Sequence, residues 1–229
     1  FNSEIWHILD TLNKNIKDSY WKTVNINPYQ NDSESELINY LLGYGRPIGA
    51  VECINKMLYH KKEVDSSLII DVLNKITDSD EEIRNIDTYA IGQMIKKLQD
   101  DSCVDFETLA LLEWKFYSAL EHVTKPKFLR EKLKRQPEFF CELICMLYKP
   151  KEGSLLEKEP IYEQKVLSRV WTILNELKPL AGYDEEQHTF DSTIFLDWFK
   201  EVTKTAQEKT RLDVALNEIG QILFYSPPD

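Results

Sequence analysis

The segment LLGYGRPIGA, residues 41–50, carries residue types that can cradle a phosphate group. Its glycines lie beside Arg46, and glycine-rich loops bind phosphate through backbone N–H groups at a helix N-terminus. Such a loop follows a β-strand, whereas residues 36–42 have the apolar spacing of a helix, and the glycines do not fit G-x-G-x-x-G. The segment therefore predicts a corner at which a glycine ends one helix and Pro47 begins the next. Arg46, held at this corner, is a candidate contact residue for a partner.

A second pattern, formed by Asp105, Glu113 and Lys115, imitates the Asp…Glu-x-Lys residues of metal-dependent nucleases. Those nucleases place the residues on β-strands, where the carboxylates hold a catalytic metal ion. Here apolar residues recur at helical spacing from residue 104 to residue 120, which favours a helix. The chain also lacks the G-x-S-x-G motif of a serine nucleophile. We therefore expect no catalytic residues, no cofactor and no enzymatic activity.

The residue types that most often bind metals do not have the spacing of a metal enzyme. The four histidines are scattered, and no His-Glu-x-x-His motif occurs. Cys141 and Cys145 share a helical face at i, i+4 and could join a metal, but the apolar stretch FFCELICML around them favours buried structural thiols. Because there is no CxxC pair, the four cysteines predict reduced thiols in a cytoplasmic protein and no metal site.

The basic segment, residues 125–135, holds six basic residues against one acid, Glu131, in a chain of net charge −11. Its basic residues are Lys125, Lys127, Arg130, Lys132, Lys134 and Arg135. Clustered cations can contact the phosphates of a nucleic acid or an acidic protein surface. The alternative is a solvated helix whose Phe128, Leu129 and Leu133 pack inward while the long basic side chains extend along the surface. The sequence leaves both interpretations open.

Composition restricts the classes of protein to which the chain can belong. Its 229 residues are 42% hydrophobic and 29% charged, as in a folded globular protein. The net charge of −11 disfavours general affinity for nucleic acid or for an anionic membrane. No apolar run approaches the roughly 18 residues of a membrane span, so we expect a cytoplasmic protein with no membrane contact. The sequence begins with Phe1 rather than Met, which predicts a fragment of a longer protein.

The elements that must position these residues are predicted to be helices throughout. Only seven glycines occur in the chain, and apolar residues recur at three- and four-residue spacing. The pattern predicts an all-α fold of about ten helices in antiparallel hairpins, as an irregular α-solenoid or a multi-helix bundle with no significant sheet. We expect a helical-hairpin array over residues 1–150 and C-terminal helices over 151–229 that pack on the same core, or one continuous domain. The last helix is predicted to turn five residues inward: Leu212, Ala215, Leu216, Ile219 and Leu223.

Short motifs stand at residues 136–140 (QPEFF), 148–150 (YKP), 219–223 (IGQIL) and 227–229 (PPD). Together with GRPIGAVECI at residues 45–54, they resemble the C-terminal α-helical region of very long bacterial proteins of uncharacterised function. The matching patterns in those proteins are Asp-Pro-x-Phe-Phe, Tyr-Arg-Pro, Ile-Gly-x-x-Leu and Pro-x-Asp, and further sequence follows the last. The resemblance implies an α-helical piece of a longer bacterial protein, and it carries no known catalysis.

These observations predict a non-enzymatic α-helical scaffold or interaction domain of a larger cytoplasmic bacterial protein. Its partner is expected to be another protein or another domain of the same chain. Nucleic-acid binding through the basic segment is the alternative and the less favoured one. The candidate partner-binding residues are Arg46, Lys125, Lys127, Arg130, Lys132, Lys134 and Arg135.

Overall fold

A computed structural model describes residues 33–43, 45, 47–76, 87–121, 123–146, 170, 172–174, 176–177, 179–184 and 186–225. Predictions for other residues, including Arg46 and the first 32 residues, lie outside this part of the chain. The described helices are α1 (Ser33–Gly43), α2 (Pro47–Tyr59), α3 (Ser66–Lys75), α4 (Thr88–Gln99), α5 (Phe106–Lys115), α6 (Tyr117–Leu120), α7 (Lys127–Arg135), α8 (Pro137–Met146), α9 (Ser192–Glu208) and α10 (Leu212–Tyr225). The strands β1 (Tyr183–Asp184) and β2 (Thr189–Phe190) pair antiparallel. The described residues between 170 and 177 are also helical.

The predicted all-α fold is confirmed, because the described residues are mostly helical and their one sheet is this short hairpin. The chain divides into two compact units, Phe1–Pro126 and Lys127–Asp229. This division lies earlier in the chain than the boundary at residues 150 and 151 that the sequence suggests. None of the helices in the described part is both long enough and apolar enough to cross a membrane.

In the first unit, aspartates begin three of the helices. Asp65 accepts a hydrogen bond from the Ser67 backbone N–H at 2.8 Å, and Asp87 and Asp105 cap α4 and α5 in the same way. Such a cap satisfies an N–H group that has no partner inside the helix. Together with α2, the capped helices bury an apolar core that includes Ile54, Ile69, Leu73, Ile91, Ile95, Leu98 and Leu109.

The predicted corner between two helices in the LLGYGRPIGA segment is confirmed. Gly45 has a φ of +64°, a left-handed conformation that glycine adopts without steric cost. Its backbone N–H donates to the Leu42 carbonyl at 3.1 Å, and α2 begins at Pro47. Gly45 therefore serves a turn between two helices, and the segment does not have the strand-to-helix geometry of a phosphate loop.

The helix that the apolar spacing of residues 104–120 favours is interrupted at Phe116. Its φ of −112° and ψ of 30° lie outside the helical region, so α5 ends at Lys115 and the short α6 follows. The interruption places α6 against α4 at Gly92, where an added Cβ would lie 2.5 Å from the Ala119 carbonyl oxygen. Only glycine permits this approach, which explains why a residue of low helix propensity lies inside α4.

The second unit is built around α8. This helix packs against α7, α9 and α10, and its Phe140 ring lies 4.7 Å from the Trp198 ring of α9, measured between centroids. The Trp198 Nε1 donates to the Leu133 carbonyl at the end of α7, at 3.3 Å. A buried tryptophan needs such an acceptor for its N–H. This contact fixes α7 and α9 to the same core.

Candidate functional site

The basic segment is the surface that the sequence favours, and its first two lysines are exposed. Lys125 precedes α7, and its backbone carbonyl accepts a hydrogen bond from Gln99 Nε2 at 3.0 Å. Lys127 begins α7 and places its Nζ 5.2 Å from the centroid of the Phe128 ring. Both ammonium groups therefore face solvent and are accessible to a partner.

Two other lysines of the basic segment are packed against the protein. Lys132 is only 7% exposed, and its Nζ lies 5.0 Å from the centre of the Phe139 ring, within the range of a cation–π attraction. The side chain of Lys134 is 10% exposed. Its Nζ donates to the Tyr183 carbonyl of β1 at 3.2 Å and lies 3.5 Å from Glu131 Oε1. Lys132 therefore contacts α8 and Lys134 contacts β1, so both cations make packing contacts within the second unit.

The rest of α7 follows the pattern of a surface helix. Leu129 and Leu133 are fully buried, and Arg130 is half-buried. Arg135 is 68% exposed, and its Nε lies 3.3 Å from Glu131 Oε2. Within α7, only Lys127 and Arg135 are therefore exposed cations, and Arg135 is partly neutralised. Fewer cations therefore face solvent than the count of six basic residues indicates.

The structure does not bring the nuclease-like residues together. Asp105 caps α5 and accepts from the Thr108 backbone N–H at 2.9 Å and from the Thr108 hydroxyl at 2.6 Å. These two hydrogen bonds hold the pKa of Asp105 below its usual value. Lys115 Nζ donates instead to the Leu73 carbonyl, at 3.0 Å. Each of these residues has a structural role of its own.

Glu113, the remaining member of this pattern, is completely buried. Its Oε1 accepts from Gln99 Nε2 at 2.6 Å, and Thr124 Oγ1 donates to Gln99 Oε1 at 2.6 Å. A buried polar group needs such partners, because leaving it unpaired costs about 1–3 kcal/mol. Among the described residues, no three or more His, Cys, Asp or Glu side chains gather where they could hold a metal ion. Asp105, Glu113 and Lys115 therefore do not form a shared metal-binding cluster in the described part of the chain.

An apolar stripe on α10 is the feature that sequence reasoning missed. Leu216 is 45% exposed, Leu223 is 44% exposed and Phe224 is 79% exposed. Gly220 lies between them and is also exposed. We call these four residues the apolar stripe; at about 100° per residue they lie within about 100° around the helix axis. Large apolar side chains clustered in this way mark an interaction surface more often than isolated ones do.

The buried face of α10 consists of other residues. Val214, Ala215, Ile219 and Ile222 are at most 9% exposed. The prediction that Leu216 and Leu223 point inward is therefore wrong, whereas Ala215 and Ile219 are buried as predicted. The signal was present in LDVALNEIGQILFY, because its apolar residues surround more of the helix than the buried face uses.

Gly220 lies in the middle of the apolar stripe, and among the described residues no steric contact requires a glycine there. An added Cβ at this position would meet no atom within 4 Å. In a helix interior, glycine is about 1 kcal/mol less favourable than alanine. Gly220 therefore leaves a shallow gap on the exposed face, between Leu216 and the Leu223–Phe224 pair.

Comparisons of the chain with protein-family models, with curated proteins and with solved structures found no match. The resemblance of the short motifs to long bacterial proteins therefore stays a prediction. Support for a function comes from the geometry of this chain's own residues.

Proposed function

We propose that the chain is a non-enzymatic α-helical interaction domain of a larger cytoplasmic bacterial protein. It binds a protein partner, or a neighbouring domain of the same longer chain, through the apolar stripe of α10. The observation that carries this proposal is the exposure of Leu216, Leu223 and Phe224 on a helix whose opposite face is already buried.

The packing of α10 supports this assignment. The helix packs against α8 and α9, so its position in the second unit does not depend on the stripe. The stripe is therefore available while the unit is folded, and a partner can cover it without unfolding anything. At about 25 cal/mol per Å² of apolar surface, covering side chains of this size contributes favourably to binding. Aromatic side chains in particular act as interface anchors, which favours Phe224 as the centre of the contact.

Position-specific photo-crosslinking tests the proposal. A photoreactive amino acid is placed at position 216, 223 or 224, one at a time, in the longer protein in its native cells. We expect the same partner, or the same neighbouring domain, to be captured from all three positions. Mass spectrometry of the crosslinked peptides separates a partner chain from a domain of the same chain.

Leu111 provides the matched control position. It is a leucine on α5 that is 53% exposed, and it belongs to the other compact unit. Capture of the same partner from position 111 should be absent, and the substitution Leu216→Asp should abolish capture from position 224. Equal capture from the stripe and from position 111, or capture that survives Leu216→Asp, would contradict the proposal.

Nucleic-acid binding through the basic segment has weaker support. Phosphate contacts require cations that face solvent, and two of the six basic side chains are packed inside the second unit. The negative net charge of the whole chain also opposes approach to a polyanion. A protein partner is therefore the function that the geometry favours.

A further inference from the structure

The apolar stripe of α10 is nearly symmetric about Gly220. Leu216 lies one helical turn before Gly220 and Phe224 lies one turn after it, so each is about 6 Å from it along the helix axis. At about 100° per residue, the two large side chains lie about 40° to either side of Gly220 around the helix. Both side chains are exposed, and an added Cβ at Gly220 would meet no atom within 4 Å. A gap between two large apolar side chains is complementary to a copy of the same surface.

A second α10 that lies antiparallel across this face, with a two-fold axis at Gly220, fits the pattern. Leu216 of each copy is then level with Phe224 of the other, and the same contact forms twice, as a two-fold interface requires. Leu216, Gly220 and Phe224 follow one i, i+4 row, and rows of this kind interdigitate where two helices cross. The helices cross where the two glycines meet, and the absence of side chains there lets the backbones approach closely.

The charges of α10 favour this orientation. The chain has a net charge of −11, so two copies repel each other wherever charged surfaces meet. Among the described residues 214–224, Glu218 is the only ionisable side chain, and it is buried, so the exposed face here is uncharged. Asp213 is exposed just before the stripe. An antiparallel pair keeps the two Asp213 carboxylates about 21 Å apart along the axes, beyond the screening length of about 8 Å, whereas a parallel pair brings them side by side.

We propose that the apolar stripe binds a second copy of this chain, through an antiparallel contact between two α10 helices centred on Gly220. This inference rests on the proposed interaction through the stripe and names the partner. The contact is small, because the 14 residues of α10 span about 21 Å. A face of that length and about 10 Å in width is well below the roughly 800 Å² per partner of a standard interface. We therefore expect a weak dimer, with a Kd of about 10–100 µM.

Sedimentation velocity of the 229-residue chain from about 1 to 500 µM measures this dimer. We expect a monomer–dimer equilibrium, and Leu216→Lys and Phe224→Glu should each weaken it at least about tenfold, because each places a charge in an apolar contact. An equimolar mixture of these two variants should recover an affinity within about threefold of the wild type. In the mixed dimer, the new ammonium group at position 216 lies level with the new carboxylate at position 224 of the other copy.

A mixture of Leu216→Lys with Leu216→Glu is the matched control. It supplies the same opposite charges, but the two positions 216 lie about 12 Å apart along the axes of an antiparallel pair, so this mixture should dimerise as weakly as either variant alone. Gly220→Ala should weaken the dimer about fivefold while raising the thermal stability of the chain, because alanine is the better helix former and its methyl group separates the two backbones. Far-UV circular dichroism checks that each variant is folded.

Rescue by the control mixture instead of the first one would overturn the antiparallel contact. A chain that stays monomeric up to about 500 µM, or a dimer that neither Leu216→Lys nor Phe224→Glu weakens, would overturn a second copy as the partner. Crosslinking from positions 216, 223 and 224 separates these outcomes from failure of the proposed function. A monomeric chain whose stripe captures a different protein contradicts the dimer alone, whereas a monomeric chain with no capture contradicts both.

Discussion

Helices α7 and α10 belong to the same compact unit and use their side chains in opposite ways. The basic α7 turns Lys132 and Lys134 into the protein, where they contact an aromatic ring and a backbone carbonyl. The apolar α10 turns Leu216, Leu223 and Phe224 toward solvent. Residue type therefore does not by itself determine which side chains are exposed. Exposure also depends on which face of each helix its neighbours cover.

The lengths and end groups of the side chains explain why lysines of α7 are buried and leucines of α10 are exposed. A lysine can bury its four methylene groups and still reach a hydrogen-bond acceptor with its terminal nitrogen. A leucine on a helix has no such freedom, and only a neighbouring element can cover it. Lys134 finds its acceptor in the β hairpin, whereas α10 is covered along one face only.

The largest expected effect is a difference in stability between truncating a leucine of α7 and truncating a leucine of α10. Leu133→Ala should lower the free energy of unfolding by about 2–5 kcal/mol, because Leu133 is fully buried and its removal leaves a cavity. Leu216→Ala should change it by less than about 0.5 kcal/mol, since the side chain is already half in solvent. Urea denaturation followed by circular dichroism measures both. Equal losses for the two variants would mean that the apolar stripe is part of the core.

The next largest effect concerns binding through the stripe. Phe224→Ala should weaken the affinity for the partner by about tenfold to thirtyfold, because truncation removes the contact area of an exposed aromatic anchor. Stability should stay unchanged within about 0.5 kcal/mol. The measurement is a binding titration with the partner identified by crosslinking. Undiminished affinity would remove Phe224 from the interface.

A smaller effect is expected from the packed lysine of α7. Lys134→Met keeps the apolar stem but removes the hydrogen bond to the Tyr183 carbonyl and the ion pair with Glu131, which should lower stability by about 1–2 kcal/mol. Lys127→Met is the matched control, because its ammonium group is exposed, and it should have almost no effect. Thermal or urea unfolding compares the two. Equal free energies of unfolding in the two variants would show that the packed position of Lys134 contributes nothing to stability.

The smallest effect is expected for nucleic acid. Fluorescence-anisotropy titrations with labelled DNA and RNA should show no salt-sensitive binding, because the basic segment keeps few exposed cations and the whole chain is strongly acidic. Replacement of Lys127 and Arg135 by glutamine should then leave the titration unchanged. Binding that weakens steeply with salt and is lost in this double variant would restore the alternative function.

The sequence predicts the local structure better than it predicts the surface. The corner between two helices at residues 41–50 and the helical spacing follow from interactions within a few residues, and the structure confirms them. The β hairpin is missed because strands of two residues are too short to show an alternating pattern. The interruption at Phe116 is missed because apolar residues continue at helical spacing from α5 across Phe116 into α6.

The candidate site depends on contacts that are distant in sequence. Lys134 and the carbonyl that fixes it are 49 residues apart, so no local pattern distinguishes this lysine from Lys127. For α10, the spacing of the apolar residues is compatible with more than one buried face. Which face is covered depends on where α8 and α9 lie, and the sequence of α10 does not contain that information.

Position 220 favours alanine in the unbound chain and glycine in the proposed complex. In the unbound chain, alanine at this position would stabilise α10 by about 1 kcal/mol, since its methyl group meets no neighbour. In the complex proposed above, the same methyl group would fill the gap between Leu216 and Phe224 and would weaken a close contact with the partner. Selection for stability alone would therefore remove this glycine, whereas selection for a tight contact would keep it. A stability screen of this chain would favour variants that bind less well.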